Sequence, residues 1–394
     1  RTIMSAGSRR GAMMATLRCD HPDIEDFVEA KSDPTRLRMF NLSVLITDKF
    51  MEAISEGKNW DLKFEGRVYK TIAATELWNK IMKSTYEFAE PGVIFIDRIN
   101  KQNNLAYCEE ISATNPCGEQ PLPAYGACLL GSINLAKLIN VPFGKGASLD
   151  LTALRELTET AVRMLDNVID ISRYPIDQQR EEAVSKRRIG LGITGLADAL
   201  IMCGVRYGSE EAVNLTRNWL RVLRDSAYRC SIDLAKEKGS FPLFIKDKFI
   251  ENHNVKKLPK DLRAGIYSYG IRNALLTSIA PTGTISLLAN NVSSGLEPVF
   301  AFKYNRKVLQ SDGSSFIEPV RDYALALFEE LKGKGGNKTQ AFVDAQTLQP
   351  SDHLVMQAAV QEYIDSSISK TINCPENIEF ETFKAVYKSA YDLG

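Results

Sequence analysis

Short apolar runs with strand character alternate along this chain with longer stretches of helical periodicity. Residues 41–47 predict a strand that runs directly into a helix over residues 48–56. Residues 75–88 predict a further helix, which is followed by a strand over residues 93–96. Because alternation of this kind places helices between parallel strands, it predicts an α/β fold with a largely parallel sheet.

The longer helical segments and the lack of a linker predict one domain. Residues 149–171 and 210–238 are amphipathic and contain no proline, so we expect two substantial helices on the outside of the sheet. The glycine-rich residues 332–338 predict a mobile surface loop. No repeat or low-complexity tract divides the sequence, and we therefore assign residues 1–394 to a single domain.

The charge balance and the apolar pattern argue against two classes of partner. The 49 basic and 49 acidic residues give a formal net charge of zero, whereas a nucleic-acid polymer usually requires a basic face. No apolar run approaches the roughly 20 residues that span a bilayer, so no membrane partner is expected. The opening residues Arg1–Met4 lack the layout of a signal peptide, which predicts a cytoplasmic protein.

The cysteine pattern argues against a structural metal site and against a disulfide framework. The seven cysteines are scattered, odd in number and without a C-x-x-C pair, which suits neither a zinc site nor a secreted disulfide scaffold. We therefore expect no metal and reduced thiols, with any disulfide being transient. The cysteines are Cys19, Cys108, Cys117, Cys128, Cys203, Cys230 and Cys374.

The segment Asn115-Pro116-Cys117-Gly118-Glu119 carries three chemically capable side chains at alternate positions. Pro116 has no amide donor and Gly118 has no side chain to pack, so we expect an extended loop with all three side chains on one side. A thiol beside a carboxylate and an amide offers sulfur chemistry, a general base and a hydrogen bond for a substrate hydroxyl. The alternative is a buried cysteine near a turn.

The run Ala280–Ser286 lies between two apolar stretches, which predicts a turn from a strand into a helix. Amides at a helix start point outward and carry partial positive charge, which favours phosphate. Helix capping by Thr282 or Thr284 explains the hydroxyl groups equally well, and no G-K-[ST] run indicates an ATPase. The candidate phosphate-binding residues are Pro281, Thr282, Gly283, Thr284, Ile285 and Ser286.

Gly190, Gly192 and Gly195 form a G-x-G-x-x-G run. Such a run binds a dinucleotide when it follows a strand in a Rossmann unit. Here it follows the basic residues Lys186–Arg188 rather than a clear strand, so the match is weak.

Taken as one series, these motifs resemble the catalytic subunit of ribonucleotide reductases, most closely the adenosylcobalamin-dependent class II enzymes. The match runs without a gap from Asn115 to Leu135. Further blocks follow in the family's order and span nearly the whole chain: Gly11–Met14, Asp20–Ile24, Asn41–Val44, Arg187–Gly192, Gly195–Asp198, Ala280–Ser286 and Asp365–Thr371.

The resemblance implies a specific architecture. The family fold is a ten-stranded α/β barrel of the ribonucleotide reductase type, made of two antiparallel-related halves with a central finger loop. Residues 109–130 contain the expected finger, which carries Cys117 into the barrel. Burial there makes chemical sense, because a sulfur radical must be kept from solvent. By comparison with the family pattern, we expect the barrel to be incomplete at both ends of this chain.

The resemblance also implies roles for individual residues. Cys117 matches the thiyl radical that removes the 3′-hydrogen of a ribonucleotide, and Glu119 matches the acceptor of the 3′-hydroxyl proton. Asn115 matches a residue that holds a substrate hydroxyl by hydrogen bonding. Cys128 matches one of two cysteines that supply reducing equivalents and become a disulfide, and its partner is expected upstream of this chain.

Residues 31–38 match the family's specificity loop, which couples an effector site to base selection. Lys31, Arg36 and Arg38 are its basic residues; arginines suit phosphate or base contacts, and simple solvation is the alternative. The resemblance further implies a dNTP or ATP effector and a thioredoxin-type or other dithiol reductant, and it permits a homodimer.

The implied function is reduction of ribonucleotides, expected as diphosphates, to 2′-deoxyribonucleotides, with adenosylcobalamin generating the radical. The chain has no D-x-H-x-x-G run, so we do not expect a histidine ligand to cobalt. One alternative is the large subunit of a class I enzyme, whose radical comes from a separate metal-containing subunit. The other alternative is a nucleotide-binding barrel without catalytic activity. The joint presence of Asn115, Cys117 and Glu119 argues against it.

Overall fold

The computed structural model of this chain describes residues 11–33, 35–309 and 314–394. Residues 1–4, on which the signal-peptide argument rests, lie outside the described residues. Within the described part of the chain, no helix is both long enough and apolar enough to cross a membrane.

The described residues form thirteen strands and fifteen α-helices. The strands are β1 Met13–Arg18, β2 Phe40–Ile46, β3 Asn59–Phe64, β4 Arg67–Ala73, β5 Gly92–Phe95, β6 Ala113–Thr114, β7 Pro121–Leu122, β8 Leu129–Asn134, β9 Ile139–Asn140, β10 Ser148–Leu149, β11 Ile189–Thr194, β12 Lys303–Leu309 and β13 Ser315–Arg321. The helices are α1 Ile24–Glu29, α2 Asp48–Ser55, α3 Ala74–Phe88, α4 Ile96–Gln102, α5 Leu151–Ile171, α6 Asp177–Lys186, α7 Leu196–Met202, α8 Glu210–Lys238, α9 Lys246–Phe249, α10 His253–Lys256, α11 Lys260–Tyr269, α12 Gly283–Leu288, α13 Tyr323–Lys332, α14 Pro350–Gln361 and α15 Phe380–Asp392.

Parallel strands form two of the six sheets of the described residues, and the other four sheets are antiparallel pairs. β1, β2 and β5 form a three-stranded parallel sheet in that spatial order. β8 and β11 form a parallel pair, which isolated parallel bridges extend from Leu191 to Thr277 and from Ile279 to Ile368. The mixed α/β content is confirmed, whereas the prediction of a largely parallel sheet is wrong, since four of the six sheets are antiparallel. The elements β2, α2, α3, β5, α5 and α8 lie within two residues of their predicted bounds. The described strands form six separate sheets and do not close into one barrel.

The first apolar core lies between the β1–β2–β5 sheet and helices α1 to α3. α3 is amphipathic, because Leu77, Ile81 and Met82 share one helical face and are buried. The side chain of Thr47 accepts a hydrogen bond from the Phe50 amide and so caps the N-terminus of α2. This packing fixes β2, the strand that leads to the site.

The second and larger core joins β8 and β11 to α5, α7 and α8. Asp150 and Ser209 cap the N-termini of the two long helices, since each side chain accepts from an amide in the first turn. Arg187 precedes β11 and pairs with Asp166 at 2.8 Å and with Asp170 at 2.7 Å, both on α5. These ion pairs fix the start of β11 against α5.

Two glycines of the G-x-G-x-x-G run have a packing explanation. A Cβ atom on Gly192 would lie 2.1 Å from the Ser278 carbonyl oxygen, and one on Gly190 would lie 2.5 Å from the Gln120 Nε2 atom. Neither position can hold a larger residue without a shift of its neighbours. Because both glycines lie inside β11, they allow the neighbouring chain segments to approach this strand closely.

Two antiparallel hairpins, β3–β4 and β12–β13, were not predicted from the sequence. Most side chains of β3, β4 and β13 are exposed, with Leu62 and Ile72 as buried exceptions. The apolar alternation that identifies a half-buried strand is therefore missing from them. The glycine-rich residues after α13 form no helix or strand and are largely exposed.

Candidate active site

Residues 115–118 form a tight turn rather than an extended segment. The Gly118 amide donates to the Asn115 carbonyl oxygen at 3.0 Å, and Gly118 has a φ of +83°, a left-handed conformation that favours glycine. The expectation that three side chains share one side is wrong for this geometry. Cys117 is exposed and Asn115 is half-buried, whereas Glu119 keeps only 2% of its surface exposed.

Two side-chain amides hold this turn. The Oδ1 atom of Asn115 accepts from the Gln120 amide at 3.0 Å, which leaves the Asn115 Nδ2 atom as the donor of that side chain. The Nδ2 atom of Asn41 donates to the Pro116 carbonyl oxygen at 2.6 Å. Because Asn41 belongs to β2, the first sheet positions the residue that precedes Cys117. Sequence reasoning placed Asn41 in a family block but gave it no role.

Cys117 lines a cavity of about 730 Å³, a size typical of small-molecule sites. The wall also includes Asn41, Ser43, Pro281, Ser367 and Lys370. β2, the Cys117 turn, the start of α12 and the segment after α14 therefore meet around one space. Asn115, Glu119 and Cys128 are not among the residues that line it.

Glu119 is fixed by its backbone while part of its carboxylate lacks a partner. Its carbonyl oxygen accepts from the Ser278 hydroxyl at 2.9 Å and from the Ser367 amide at 3.0 Å. The Oε2 atom is buried and has no hydrogen-bond partner among the described residues. An unsatisfied buried acceptor costs of order 1–3 kcal/mol, so a ligand hydroxyl that donates to this oxygen would be stabilised.

Cys128 lies immediately before β8, and its side chain is half-buried. Its Sγ atom contacts the Leu129 carbonyl oxygen at 3.6 Å. Burial raises the pKa of the Cys128 thiol to about 12, while the positive charge of Arg188 lowers it and the carboxylate of Glu119 raises it further. Cys128 and Glu119 are thus within electrostatic range of each other.

The hydroxyl groups of Thr282 and Ser286 face the interior of the protein. Each lies 2.9 Å from the Thr194 hydroxyl, and they lie 3.0 Å from each other. Thr282 makes no capping hydrogen bond. Because both hydroxyls are engaged inside the protein, they neither cap α12 nor donate to a ligand. Helix α12 begins here as predicted, Pro281 lines the cavity, and Thr284 is exposed.

The predicted specificity loop contains one anchored and two exposed basic residues. Lys31 donates to the Phe40 carbonyl oxygen at 2.7 Å and pairs with Glu90 at 2.6 Å. These contacts give Lys31 a structural role in joining the loop to β2. Arg36 and Arg38 are exposed, so they are the members of the loop that a nucleotide could contact.

Sequence reasoning missed a buried cluster around Lys370. The Lys370 ammonium contacts Glu297 at 2.5 Å and donates to the Nδ1 atom of His353 at 2.8 Å. Burial and the neighbouring ammonium lower the pKa of His353 to about 4, so its ring is neutral at physiological pH. The available signal was the place of Lys370 in the block Asp365–Thr371, which follows an apolar helix.

Among the residues that the structure describes, no three His, Cys, Asp or Glu side chains form a group that could hold a metal ion.

Comparisons with known proteins agree on one family. The family model for the ribonucleotide reductase barrel domain matches residues 1–394. The vitamin B12-dependent ribonucleoside-diphosphate reductase of Mycobacterium tuberculosis (strain CDC 1551 / Oshkosh) is 38% identical, over 99% of this chain and 56% of the relative. The protein of the same name from Thermoplasma acidophilum is 35% identical, over 99% of this chain and 51% of the relative.

A more distant relative has a different name. The ribonucleoside-diphosphate reductase subunit alpha of Chlamydia pneumoniae is 26% identical, over 99% of this chain and 45% of the relative. The chain therefore spans about half the length of the curated relatives it matches.

Proposed function

This chain belongs to the ribonucleotide reductase family, and we propose that it is the catalytic core of a class II enzyme that reduces ribonucleotides to 2′-deoxyribonucleotides. The observation that carries the proposal is the position of Cys117, which a glycine-dependent turn presents to a nucleotide-sized cavity. That exposure also argues against a non-catalytic barrel. The names of the relatives from M. tuberculosis and T. acidophilum support diphosphate substrates.

The exposure of the Cys117 sulfur fits a radical supplied by adenosylcobalamin. Cys117 is exposed to an open cavity of about 730 Å³, so a bound group can reach the sulfur from that side. Among the described residues, no histidine lines this cavity, so a cobalamin bound next to Cys117 would lack a histidine ligand to cobalt from these walls. When bound, adenosylcobalamin supplies the radical that converts the Cys117 thiol to a thiyl radical.

Within this proposal, Asn115 and Cys117 of the turn and the adjacent Glu119 act on the ribose. The Cys117 sulfur accepts the hydrogen atom of C3′ and thereby becomes a thiol again. Glu119 accepts the 3′-hydroxyl proton, because a substrate hydroxyl would supply the partner that its Oε2 atom lacks. The Asn115 Nδ2 atom holds a substrate hydroxyl, since the Oδ1 atom is already engaged with Gln120.

We further propose that the substrate phosphates bind at residues 281–286. The hydroxyls of Thr282 and Ser286 are engaged with Thr194, so the remaining donors are backbone amides of the first turn of α12 and the Thr284 hydroxyl. Pro281 lines the same cavity as Cys117. The phosphates and the sulfur would then contact one bound nucleotide.

The rest of the proposal concerns the whole enzyme. Cys128 and a second cysteine supply two electrons for reduction at C2′ and are re-reduced by a thioredoxin-type or other dithiol. Arg36 and Arg38 take part in base selection under a dNTP or ATP effector. The β1–β2–β5 sheet and the β8–β11 pair are parts of a ten-stranded barrel. Residues 109–130 form its finger loop, and the barrel is one domain. A homodimer and a cytoplasmic location complete the proposal.

Reconstitution of the full-length protein that contains this chain tests the class. We expect the protein to form deoxyribonucleotide from a ribonucleoside diphosphate with only adenosylcobalamin, a dithiol and an effector, because radical generation needs no second subunit. Product is measured by chromatography, with cofactor-free protein as the control. Strict dependence on an iron- or manganese-containing subunit would instead establish the class I alternative.

A further inference from the structure

Arg188 and Cys128 occupy adjacent places at the start of two paired strands. The parallel ladder of β8 and β11 begins with Leu129 opposite Ile189 and continues with Leu130 opposite Gly190. Cys128 and Arg188 are the residues immediately before the first pair. Because paired parallel strands run close together in register, this placement brings residues 128 and 188 near each other at the start of the ladder.

The Arg188 side chain is buried and fixed by two carboxylates. Only 1% of its surface is exposed, and its Nη2 and Nη1 atoms lie 2.5 Å from Glu109 and 3.2 Å from Glu182. The Nε atom is buried and has no hydrogen-bond partner among the described residues. A buried cationic N–H group without an acceptor is costly, and it is stabilised when an anion forms next to it.

Two charged groups act electrostatically on the Cys128 thiol. Arg188 lies immediately before β11, and Glu119 follows the turn of residues 115–118. Their charges act on the thiolate in opposite directions, because Arg188 favours the anion and Glu119 disfavours it.

We propose that Arg188 is a positioning residue that stabilises the Cys128 thiolate during thiol–disulfide exchange, an inference that rests on the proposed redox role of Cys128. In that exchange, a thiolate of the external dithiol attacks the sulfur bonded to Cys128. The S–S bond breaks, and Cys128 leaves with the electron pair. The second thiol of the dithiol then displaces the other protein cysteine. The dithiol is oxidised by two electrons, and its two protons pass to the two protein thiols.

The expected effect of removing Arg188 has a definite sign. The pKa of Cys128 is about 12, so near neutral pH the residue is almost entirely a thiol and only a small fraction is thiolate. An opposite charge nearby typically lowers a pKa by about 1–3 units. Removing Arg188 raises the pKa of Cys128 further, and each unit reduces the thiolate fraction tenfold.

Alkylation of the full-length protein by iodoacetamide tests the inference without turnover. The thiolate displaces iodide, so the rate at a given pH follows the thiolate fraction. Peptide mass spectrometry follows Cys128 from pH 7 to pH 9 in wild type, Arg188→Met and Arg188→Lys. We expect Arg188→Met to slow alkylation of Cys128 by about tenfold or more, and Arg188→Lys to restore most of the rate. Cys203, whose pKa burial raises to about 11 with Glu211 adding to the shift, is the internal reference and should not change.

A paired variant covers the case in which Arg188→Met fails to fold, because that change removes one of the two cationic partners that the structure describes for buried Glu109 and leaves Lys186, at 2.7 Å. The double variant Arg188→Met/Glu109→Gln removes both charges, and its matched reference is Glu109→Gln alone. The inference is supported if alkylation of Cys128 in the double variant is slower than in Glu109→Gln by the same factor. If the rate of Cys128 alkylation is unchanged in either comparison between folded proteins, the inference is overturned. Because alkylation requires no substrate or cofactor, this result is independent of whether the protein reduces ribonucleotides.

Discussion

The full-length Cys117→Ser variant is expected to form no deoxyribonucleotide while still binding nucleotide. Serine keeps the size of the side chain but replaces a weak S–H bond by a strong O–H bond, so the radical cannot be transferred to this position. Because Cys117 is exposed at the cavity rather than packed in a core, the substitution should not disturb folding. Product formation and equilibrium nucleotide binding are measured on the same preparation.

Cys374→Ser is the matched control, because Cys374 lines the same cavity as Cys117. It should retain activity close to that of wild type. Appreciable product from Cys117→Ser, or equal loss of activity in both variants, would remove Cys117 from the radical role.

The Glu119→Gln variant is expected to lose about 10²-fold or more in turnover, the usual weight of general base catalysis. Glutamine preserves the shape of the buried side chain, and the backbone contacts of residue 119 to Ser278 and Ser367 do not involve the carboxylate. What is lost is the acceptor for the 3′-hydroxyl proton. Turnover and exchange of the 3′-hydrogen should therefore fall together.

Glu110→Gln is the control for this change, because Glu110 is an exposed carboxylate on the same segment. Wild-type activity is expected for it. Turnover of Glu119→Gln within a few-fold of wild type would show that this carboxylate does not act as the base.

The fold was predictable where burial leaves a pattern in the sequence. The short apolar run in residues 41–47 identified β2, in which residues 42–46 are all buried, and the apolar face of residues 75–88 identified α3, which packs one side against the first core. The hairpins β3–β4 and β12–β13 escaped prediction because their side chains are mostly exposed on both faces. Closure of a barrel depends on hydrogen bonds between distant strands, and no local pattern encodes those.

The site was predictable in its chemistry but not in its geometry. The family resemblance identified Cys117 and Glu119, yet Gly118 turns the chain between them and sends their side chains to different surroundings. The turn was foreseeable only from the left-handed conformation that glycine permits. The burial of the Thr282 hydroxyl against Thr194 could not be anticipated, because the two residues are 88 positions apart in the sequence.

Transfer of the 3′-hydrogen tests the central claim most directly. The full-length protein is incubated with adenosylcobalamin, a dithiol, ATP or a dNTP as effector, and a ribonucleoside diphosphate carrying tritium at C3′. Tritium reaches water if an exchangeable thiol takes this hydrogen. We predict tritium release by wild type and by Cys374→Ser, and none by Cys117→Ser. Release by Cys117→Ser at the wild-type rate would contradict the assignment of Cys117 as the residue that removes the 3′-hydrogen.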